Sequence, residues 1–334
     1  MRKTTIKDVA ERAGVAISTA SNALNGTKTV SPATRDRILA AAKALNYTPN
    51  LIGKRLRSGQ TNVIGLYTAS VAGPYFYILV EAIAKAVDAA GYGLTITLMN
   101  NHEALMDSLL GNTCDGAIIF SPTITDEDLA RVTQQHLPTV VLDRPLTAAY
   151  LSSIIFDSFE GGYQVTKYLI RLGHKHFAFV GGLDENRDSN ERLRGIRAAL
   201  KETGLDAEPL VLLHGRFEEQ ASFDAVTDYL TANPERKVTA FIAGNDLSAM
   251  GTIKAVQRMG LSVPGDISVS GFDDTVVSAY YRPSLTTFRN PIETQGQLAV
   301  REALRMISGG NPAGTQQLLK GQLVRRDSTS ELND

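Results

Sequence analysis

The first sixty residues carry eleven Lys and Arg against three acids, a net charge of +8, while the remainder of the chain carries 23 against 32, a net of −9. A concentrated set of ammonium and guanidinium groups can neutralise phosphates and release their counterions, the sequence-independent part of nucleic-acid binding. An anionic body is repelled by the same polyanion and leaves the contact to the cationic segment. A second set of chemically capable residues falls at the ends of apolar runs: Asp143, Asp157, Asn245, Asp246 and Asp273. Carboxylates and amides placed there can hydrogen-bond a small polar molecule.

The cationic set needs short helices to present it. Ile6, Val9, Ala10 and Ala13 recur at helical spacing, Thr5 and Asp8 form a capping pair, and Gly14 ends the run. A second helix begins near Ile17. Two brief helices joined by a Gly-containing turn form a helix-turn-helix, whose second helix enters the major groove of DNA. Ser31-Pro32 opens a third helix, with Ser as N-cap and Pro in the first turn, and Ile38, Ala41, Ala42 and Leu45 supply its buried stripe. Residues 50–57, NLIGKRLR, are basic and contain Gly53. Fewer than about twelve residues rarely hold a helix in water, so this stretch should order only against something else.

The acidic set needs a different scaffold. From Asn62 the chain alternates apolar runs with amphipathic stretches: VIGLYT (63–68), LTITLM (94–99), GAIIFS (116–121) and TVVLD (139–143) are expected as buried parallel strands. SIIFD (153–157), FAFVGG (177–182), LVLLHG (210–215), AFIAGND (240–246) and ISVSGFDD (267–274) form a second series, and helices are expected between the strands of both. Two βαβ series of similar size imply two doubly wound lobes with a crevice between them. Ligands of open α/β sheets bind at the C-terminal strand ends, where the polar residues fall. A last helix near 291–308 and an end strand near 317–325 should cross back between the lobes, leaving a short polar tail from Ser328.

Composition narrows the classes further. At 43% apolar and 21% charged the chain reads as an ordinary globular protein of two or three domains. Its one cysteine, Cys114, sits among apolar neighbours and reads as a buried thiol in a reducing compartment. No apolar signal core follows Met1-Arg2-Lys3 and no run nears eighteen apolar residues, so the expected location is the cytoplasm, with no membrane partner.

Taken together, TIKDVAERAGV (5–15), TASNALN (19–25), Ser31-Pro32-x-Thr34-Arg35, ALNYTPN (44–50), Leu142-Asp143-Arg144-Pro145, GHKHFAFVGG (173–182), Arg192-x-x-Gly195, Asn245-Asp246 and VPGDISVSGFDD (263–274) resemble the LacI/GalR family of bacterial transcription regulators. The resemblance runs over nearly the whole chain. It implies an all-α helix-turn-helix domain at 1–48 and a hinge helix and linker at 49–61. It implies an α/β two-lobed, periplasmic-binding-protein-like core at 62–334, with one lobe at about 62–158 and 288–318 and the other at about 159–287 and 319–334. The implied partners are double-stranded operator DNA, a small effector and a second copy of the chain, with two heads in successive major grooves.

Carried over by position, the resemblance makes Ile17, Ser18 and Asn22 base-reading residues and Thr5, Thr19, Ser21 and Asn25 phosphate or positioning contacts; Asn50, Arg55 and Leu56 fall in the DNA-binding hinge. Ile17 offers only apolar contact, while Ser18 and Asn22 can hydrogen-bond base edges. Ala16 departs from the Ser that usually caps this helix. Leu56 matches a leucine wedged between base pairs in the minor groove, a use suited to an apolar side chain on a basic segment. In the cleft, Tyr75, Phe76 and Phe217 match the effector-packing walls, Arg192 and Asp273 a polar pair on the effector, and Asp143, Asp188, Asn245 and Asp246 further contacts.

Planar acceptors and a guanidinium around an apolar platform suit a polyhydroxyl ligand. Asn186 stands where purine-binding members place a base-recognising arginine, which also weighs for a sugar. A nucleobase, a phosphosugar or a protein co-regulator remain alternatives, as does a sugar receptor without DNA function. The expected role is a repressor and not an enzyme. No phosphate loop and no Gly-x-Ser-x-Gly elbow occur. His174 and His176 lack the further ligands of a metal site, so no cofactor and no metal are expected.

Overall fold

The computed structural model describes residues 4–24, 30–47, 60–98, 101–183, 185–205, 210–235, 237–309 and 312–332. The chain divides into two compact units, Met1–Thr61 and Asn62–Asp334. Asn25, Asn50, Arg55 and Leu56, and with them nearly all of the expected hinge, lie outside the described residues.

The described residues of the first unit form three helices, α1 (Ile6–Arg12), α2 (Ile17–Leu24) and α3 (Pro32–Ala44). Asp8 Oδ2 accepts both the Thr5 backbone N–H and the Thr5 hydroxyl at 2.8 Å, which fixes the start of α1. Ser31 Oγ accepts the Thr34 N–H at 3.4 Å with Pro32 in the first turn of α3. At the start of α2 the Ala16 carbonyl accepts the Ala20 N–H at 3.0 Å. Val9, Ala10, Ala13, Ala20, Ala23, Ile38, Ala41 and Ala42 close the core, small residues that let the helices approach closely.

The second unit begins with β1 (Val63–Thr68), α4 (Pro74–Ala89), β2 (Gly93–Leu98), α5 (His102–Leu110), β3 (Gly116–Phe120), α6 (Asp126–Gln134), β4 (Thr139–Leu142) and β5 (Leu151–Phe156). It continues with α7 (Ser158–Arg171), β6 (Phe177–Gly181), α8 (Arg187–Glu202), β7 (Val211–His214), α9 (Glu219–Ala232), β8 (Ala240–Ala243), α10 (Asp246–Arg258) and β9 (Ser268–Asp273). It ends with α11 (Val276–Tyr280), β10 (Thr286–Arg289), α12 (Ile292–Ile307), β11 (Gln316–Leu319) and β12 (Gln322–Val324). Two six-stranded sheets result, ordered β11-β5-β4-β3-β1-β2 and β12-β10-β9-β8-β6-β7. All pairings are parallel except that of β10 with β12.

Several expectations need correction. The run at 94–99 is not a buried strand: β2 is a sheet edge, and Leu98 is 53% exposed. The single end strand expected at 317–325 is two strands, split at Lys320-Gly321 and assigned to different sheets. β10 and α11 were not anticipated. β10 belongs whole to the second sheet, so the passage to the first lobe follows Arg289 rather than residue 288. The polar tail is threaded into the second lobe: Ser328 is fully buried, donates to the Val269 carbonyl at 2.6 Å, and accepts the Thr286 N–H at 2.8 Å.

The chain therefore passes between the lobes three times, at Asp157, at Asn290-Pro291 and at Lys320-Gly321. A Cβ on Gly321 would lie 2.4 Å from the Arg289 carbonyl oxygen, so the third passage is pressed against the second. Helices α7 and α8 approach as closely, a Cβ on Gly162 meeting the Arg192 carbonyl at 2.1 Å and one on Gly195 the Phe159 carbonyl at 2.0 Å.

Candidate functional site

On the three-helix unit, Ile17 is 49% exposed at the start of α2, with Ser18 exposed beside it and Thr19 and Asn22 half-buried. These residues form the exposed N-terminal part of the second helix, the part that a helix-turn-helix turns toward base edges. Thr5 is exposed at the start of α1. Ser21, carried over on the same helix, is 8% exposed.

In the second unit a cavity of about 210 Å³ opens between the two lobes, and all nine residues carried over to the cleft line it: Tyr75, Phe76, Asp143, Asp188, Arg192, Phe217, Asn245, Asp246 and Asp273. The strand ends place them. Asp143 follows β4, Asp273 ends β9, and Asn186, which caps α8 by accepting the Ser189 N–H at 2.9 Å, starts the helix that carries Asp188 and Arg192.

One wall is aromatic. Tyr75 and Phe76 at the start of α4 meet edge to face with centroids 5.4 Å apart, and Phe76 lies 5.4 Å from Phe120. Opposite, Phe217 has φ +61°, and its ring covers Gly182 and Gly244, where added Cβ atoms would lie 2.5 Å and 2.8 Å from it. The Arg192 guanidinium carbon is 4.7 Å from the Phe272 centroid and 5.7 Å from that of Phe217.

The polar groups divide into those already engaged and those turned to the cavity. Asp143 accepts Gln295 Nε2 at 2.8 Å, the Phe156 N–H at 3.2 Å and Tyr75 Oη at 3.3 Å. Burial, then the Asp188 charge, pushes its pKa up to about 8. Burial also raises Tyr75, and Asp143 adds to it. Asp273, at φ +104°, is pushed up to about 6 by burial; Arg192 pulls it back and Asp188 pushes further. Asp188 accepts the Ser158 hydroxyl at 3.0 Å and is raised by burial against the pull of Arg192.

Arg192 and Asp273 share the cavity, but no ion pair joins them among the described residues; Arg192 Nη1 donates to the Gly244 carbonyl instead. Asn245 caps α10 and donates to the Phe217 carbonyl at 3.1 Å. Asp246 is structural. It accepts the Thr275 N–H at 2.8 Å and hydroxyls from Thr275 at 2.9 Å and Thr287 at 2.6 Å, and burial, then Asp273, raises it to about 7. Asp157 caps α7, accepting the Glu160 N–H at 3.1 Å. His174 is also structural, with its ring nitrogens on Thr239, Ser268 and the Ser330 carbonyl.

Phe120, Gln295 and Asn290 were missed from sequence. Phe120 ends an apolar strand, so the strand-end rule that found Asp143 could have found it. Gln295 sits within an amphipathic helix and Asn290 follows a strand that was not anticipated, so neither carried a local signal.

A helix-turn-helix unit and a two-lobed α/β unit with a cleft define a DNA-binding transcription regulator with a small-molecule site. The bacterial regulatory proteins, lacI family, model matches residues 5–50, and a periplasmic binding protein-like domain model matches 166–329. The HTH-type transcriptional repressor PurR of Proteus mirabilis (strain HI4320) is 33% identical over 336 residues, covering 98% of this chain and 97% of the relative. The lac repressor dimer bound to operator and the anti-inducer ONPF superposes with a TM-score of 0.82 at 31% identity, over 98% of this chain and all of that one. The complex of transcriptional regulator CelR with cellobiose gives 0.73 at 28%, over the same shares. The chain belongs to the lacI family of bacterial regulatory proteins. It is a regulator and not an enzyme. Among the described residues no helix is long and apolar enough to cross a membrane.

Proposed function

We propose that the protein is a repressor whose operator affinity is set by a polyhydroxyl effector, a sugar or sugar derivative, held between the lobes. The observation that carries this reading is the cleft itself, where aromatic faces from Tyr75, Phe76 and Phe217 surround Asp143, Asp188, Arg192 and Asp273. Sugars present apolar ring faces and an equatorial belt of hydroxyls, which such a wall and such a set of acceptors accommodate together. The similarity to a cellobiose-bound regulator supports the same class, and the similarity to named repressors supports repression.

The operating unit in this reading is a homodimer on a pseudo-palindromic operator. The exposed apolar face of α11, with Val276 at 68% and Tyr280 at 75% exposure, supports a second copy docking there. Effector binding would favour one arrangement of the lobes, and a hundredfold preference between arrangements supplies about 2.7 kcal/mol of coupling. Two measurements test the reading. Operator titration against salt should show a steep logarithmic loss of affinity, which a sugar receptor without DNA function would lack. A thermal-shift panel should give stabilisation with a sugar; stabilisation by nucleobases and by no sugar would replace the polyhydroxyl reading.

A further inference from the structure

Tyr75, Asp143 and Gln295 come from three elements, α4, the end of β4 and α12, and meet pairwise. Tyr75 Oη lies 2.9 Å from Gln295 Oε1 and 3.3 Å from Asp143 Oδ2, and Gln295 Nε2 donates to Asp143 Oδ1 at 2.8 Å. Gln295 is fully buried and Asp143 nearly so. Asp143 Oδ1 also takes the Phe156 N–H at 3.2 Å, and among the described residues no group but Tyr75 hydrogen-bonds Oδ2.

Three contacts need three hydrogens. The Gln295 amide gives one to the triangle and the Tyr75 hydroxyl gives one. The 2.9 Å contact is within the ordinary O–H···O range and the 3.3 Å contact beyond it, so the phenol hydrogen goes to Gln295. Asp143 Oδ2 then faces the phenol oxygen with no hydrogen between them unless Asp143 carries one. Reversing the Gln295 amide changes the direction of the bonds and not the count. A protonated Asp143 closes a ring in which each member donates once and accepts once, whereas an ionised Asp143 leaves two buried oxygens facing each other unpaired.

The ring sits where the lobes are joined. α12 begins directly after the passage at Asn290-Pro291, and Phe156 ends β5 directly before the passage at Asp157. The tyrosine of the ring is part of the cleft wall, its centroid 5.4 Å from that of Phe76 and 5.8 Å from that of Phe120. A phenol side chain turns about two bonds, and a hydrogen-bonded hydroxyl at its far end fixes both.

We propose that Gln295 is a positioning residue of the effector site: with Tyr75 and a protonated Asp143 it closes a ring of three hydrogen bonds that holds Tyr75 in the cleft wall, and the wall loosens when Asp143 gives up its proton. This rests on the cleft as the effector site and on no choice of effector. Burial and the Asp188 charge push Asp143 up to about 8, in the same direction. The charged groups that share the cavity are Asp188 and Arg192 of α8, with Arg187 3.9 Å from Asp188, Asp246 of α10 and Asp273 of β9. Asp188 opposes ionisation of Asp143 and Arg192 favours it, while Arg144, next in the chain, pairs with Asp126. Tyr75 is itself held well above the usual phenol range, so it keeps its hydrogen while Asp143 titrates.

The test uses the full-length protein without ligand. The chain has no tryptophan, so near-ultraviolet circular dichroism reports chiefly on packed tyrosines. The Tyr75 contribution, taken as the difference from Tyr75→Phe in each background, should be present at about pH 6 and fall to about a tenth by about pH 9, one unit above the Asp143 midpoint. Infrared difference spectra of the wild type against Asp143→Asn should show the C=O stretch of a protonated carboxylic acid at about pH 6, lost with the same midpoint. In Asp143→Asn, whose amide supplies the third hydrogen at every pH, the Tyr75 signal should persist to about pH 9. In Gln295→Leu it should be reduced at both pH values. Melting temperatures report folding. Should Gln295→Leu fail to fold, Asp143→Asn decides, and a Tyr75 signal that falls with pH there as in the wild type overturns the inference. So does the absence of a protonated Asp143 band, or a folded Gln295→Leu protein with the full Tyr75 signal. Each of these leaves the repressor reading standing, because no effector and no operator enter the experiment.

Discussion

Arg192 stacks its guanidinium 4.7 Å from the centre of the Phe272 ring while its Nη1 holds the carbonyl of Gly244. The planar fork does both at once, and it sets the only cationic side chain among the described residues of the cavity lining against Asp188 and Asp273. A lysine keeps the charge but neither the plane nor the fork. Arg192→Lys should lower effector affinity by about tenfold or more. Arg192→Ala should in addition destabilise the core by about 3 kcal/mol, because buried carboxylates lose their counter-charge. Titration calorimetry and urea unfolding measure the two effects, and equal affinity in the lysine variant would show that the fork is not used.

The close crossing of α7 and α8 fixes where Asp188 and Arg192 stand. A methyl at Gly195 would sit 2.0 Å from the Phe159 carbonyl, backbone that cannot swing aside as a side chain can. Gly195→Ala should cost about 2–3 kcal/mol of unfolding free energy and weaken effector binding with it. Unchanged stability in denaturant unfolding would mean that the two helices can separate freely.

Asp143 moves from an ordinary 3.8 up to about 8 in the folded core, so folding favours its neutral form. That contribution is full below about pH 4 and is lost as pH rises through about 8, with a slope of at most about 1.4 kcal/mol per pH unit. Asp273 and Asp246, raised to about 6 and about 7, act in the same direction. His174, lowered by burial, acts in the opposite one, its contribution being lost as pH falls. Comparing the wild type with Asp143→Asn isolates the first effect. Asn can still accept the Gln295 and Phe156 hydrogens and donate to Tyr75 Oη. The wild type should lose stability relative to the variant between about pH 5 and 8. A constant difference in melting temperature across that range would show that Asp143 is ionised in the fold.

Leu56 is proposed from sequence alone as a minor-groove wedge. Leu56→Ala should weaken specific operator binding more than non-specific DNA binding, since only the bent specific complex uses the unstacked base step. Gel-shift titrations with operator and random duplex decide it, and an equal loss on both would end the wedge proposal.

Much of the architecture was readable because one property carried it. Apolar runs such as VIGLYT and AFIAG are interior strands, and Asp143, Asp246 and Asp273, which follow or end such runs, line the cleft, whereas Asp157 caps α7. Where burial was accomplished by polar residues the reading failed. β10 is Thr-Thr-Phe-Arg, and its threonines are fully buried because Thr286 is satisfied by the Arg326 carbonyl and Thr287 by Asp246. The tail failed in the same way, Ser328 and Thr329 being interior through hydrogen bonds to residues distant in sequence. In the cleft, residue types pointed to Asp143 and Asp273, but the partnership of Gln295 with Asp143 spans 152 positions. No local pattern encodes such a pair.

Three passages of chain tie one lobe to the other, and Gly321 brings two of them into contact. A single tether would let the halves tumble independently. Three side by side leave little freedom apart from a bend about the line on which they lie, so whatever occupies the gap is translated into one angle. In the proposed effector-controlled repressor, that angle is the quantity to be passed on to the DNA-binding segment.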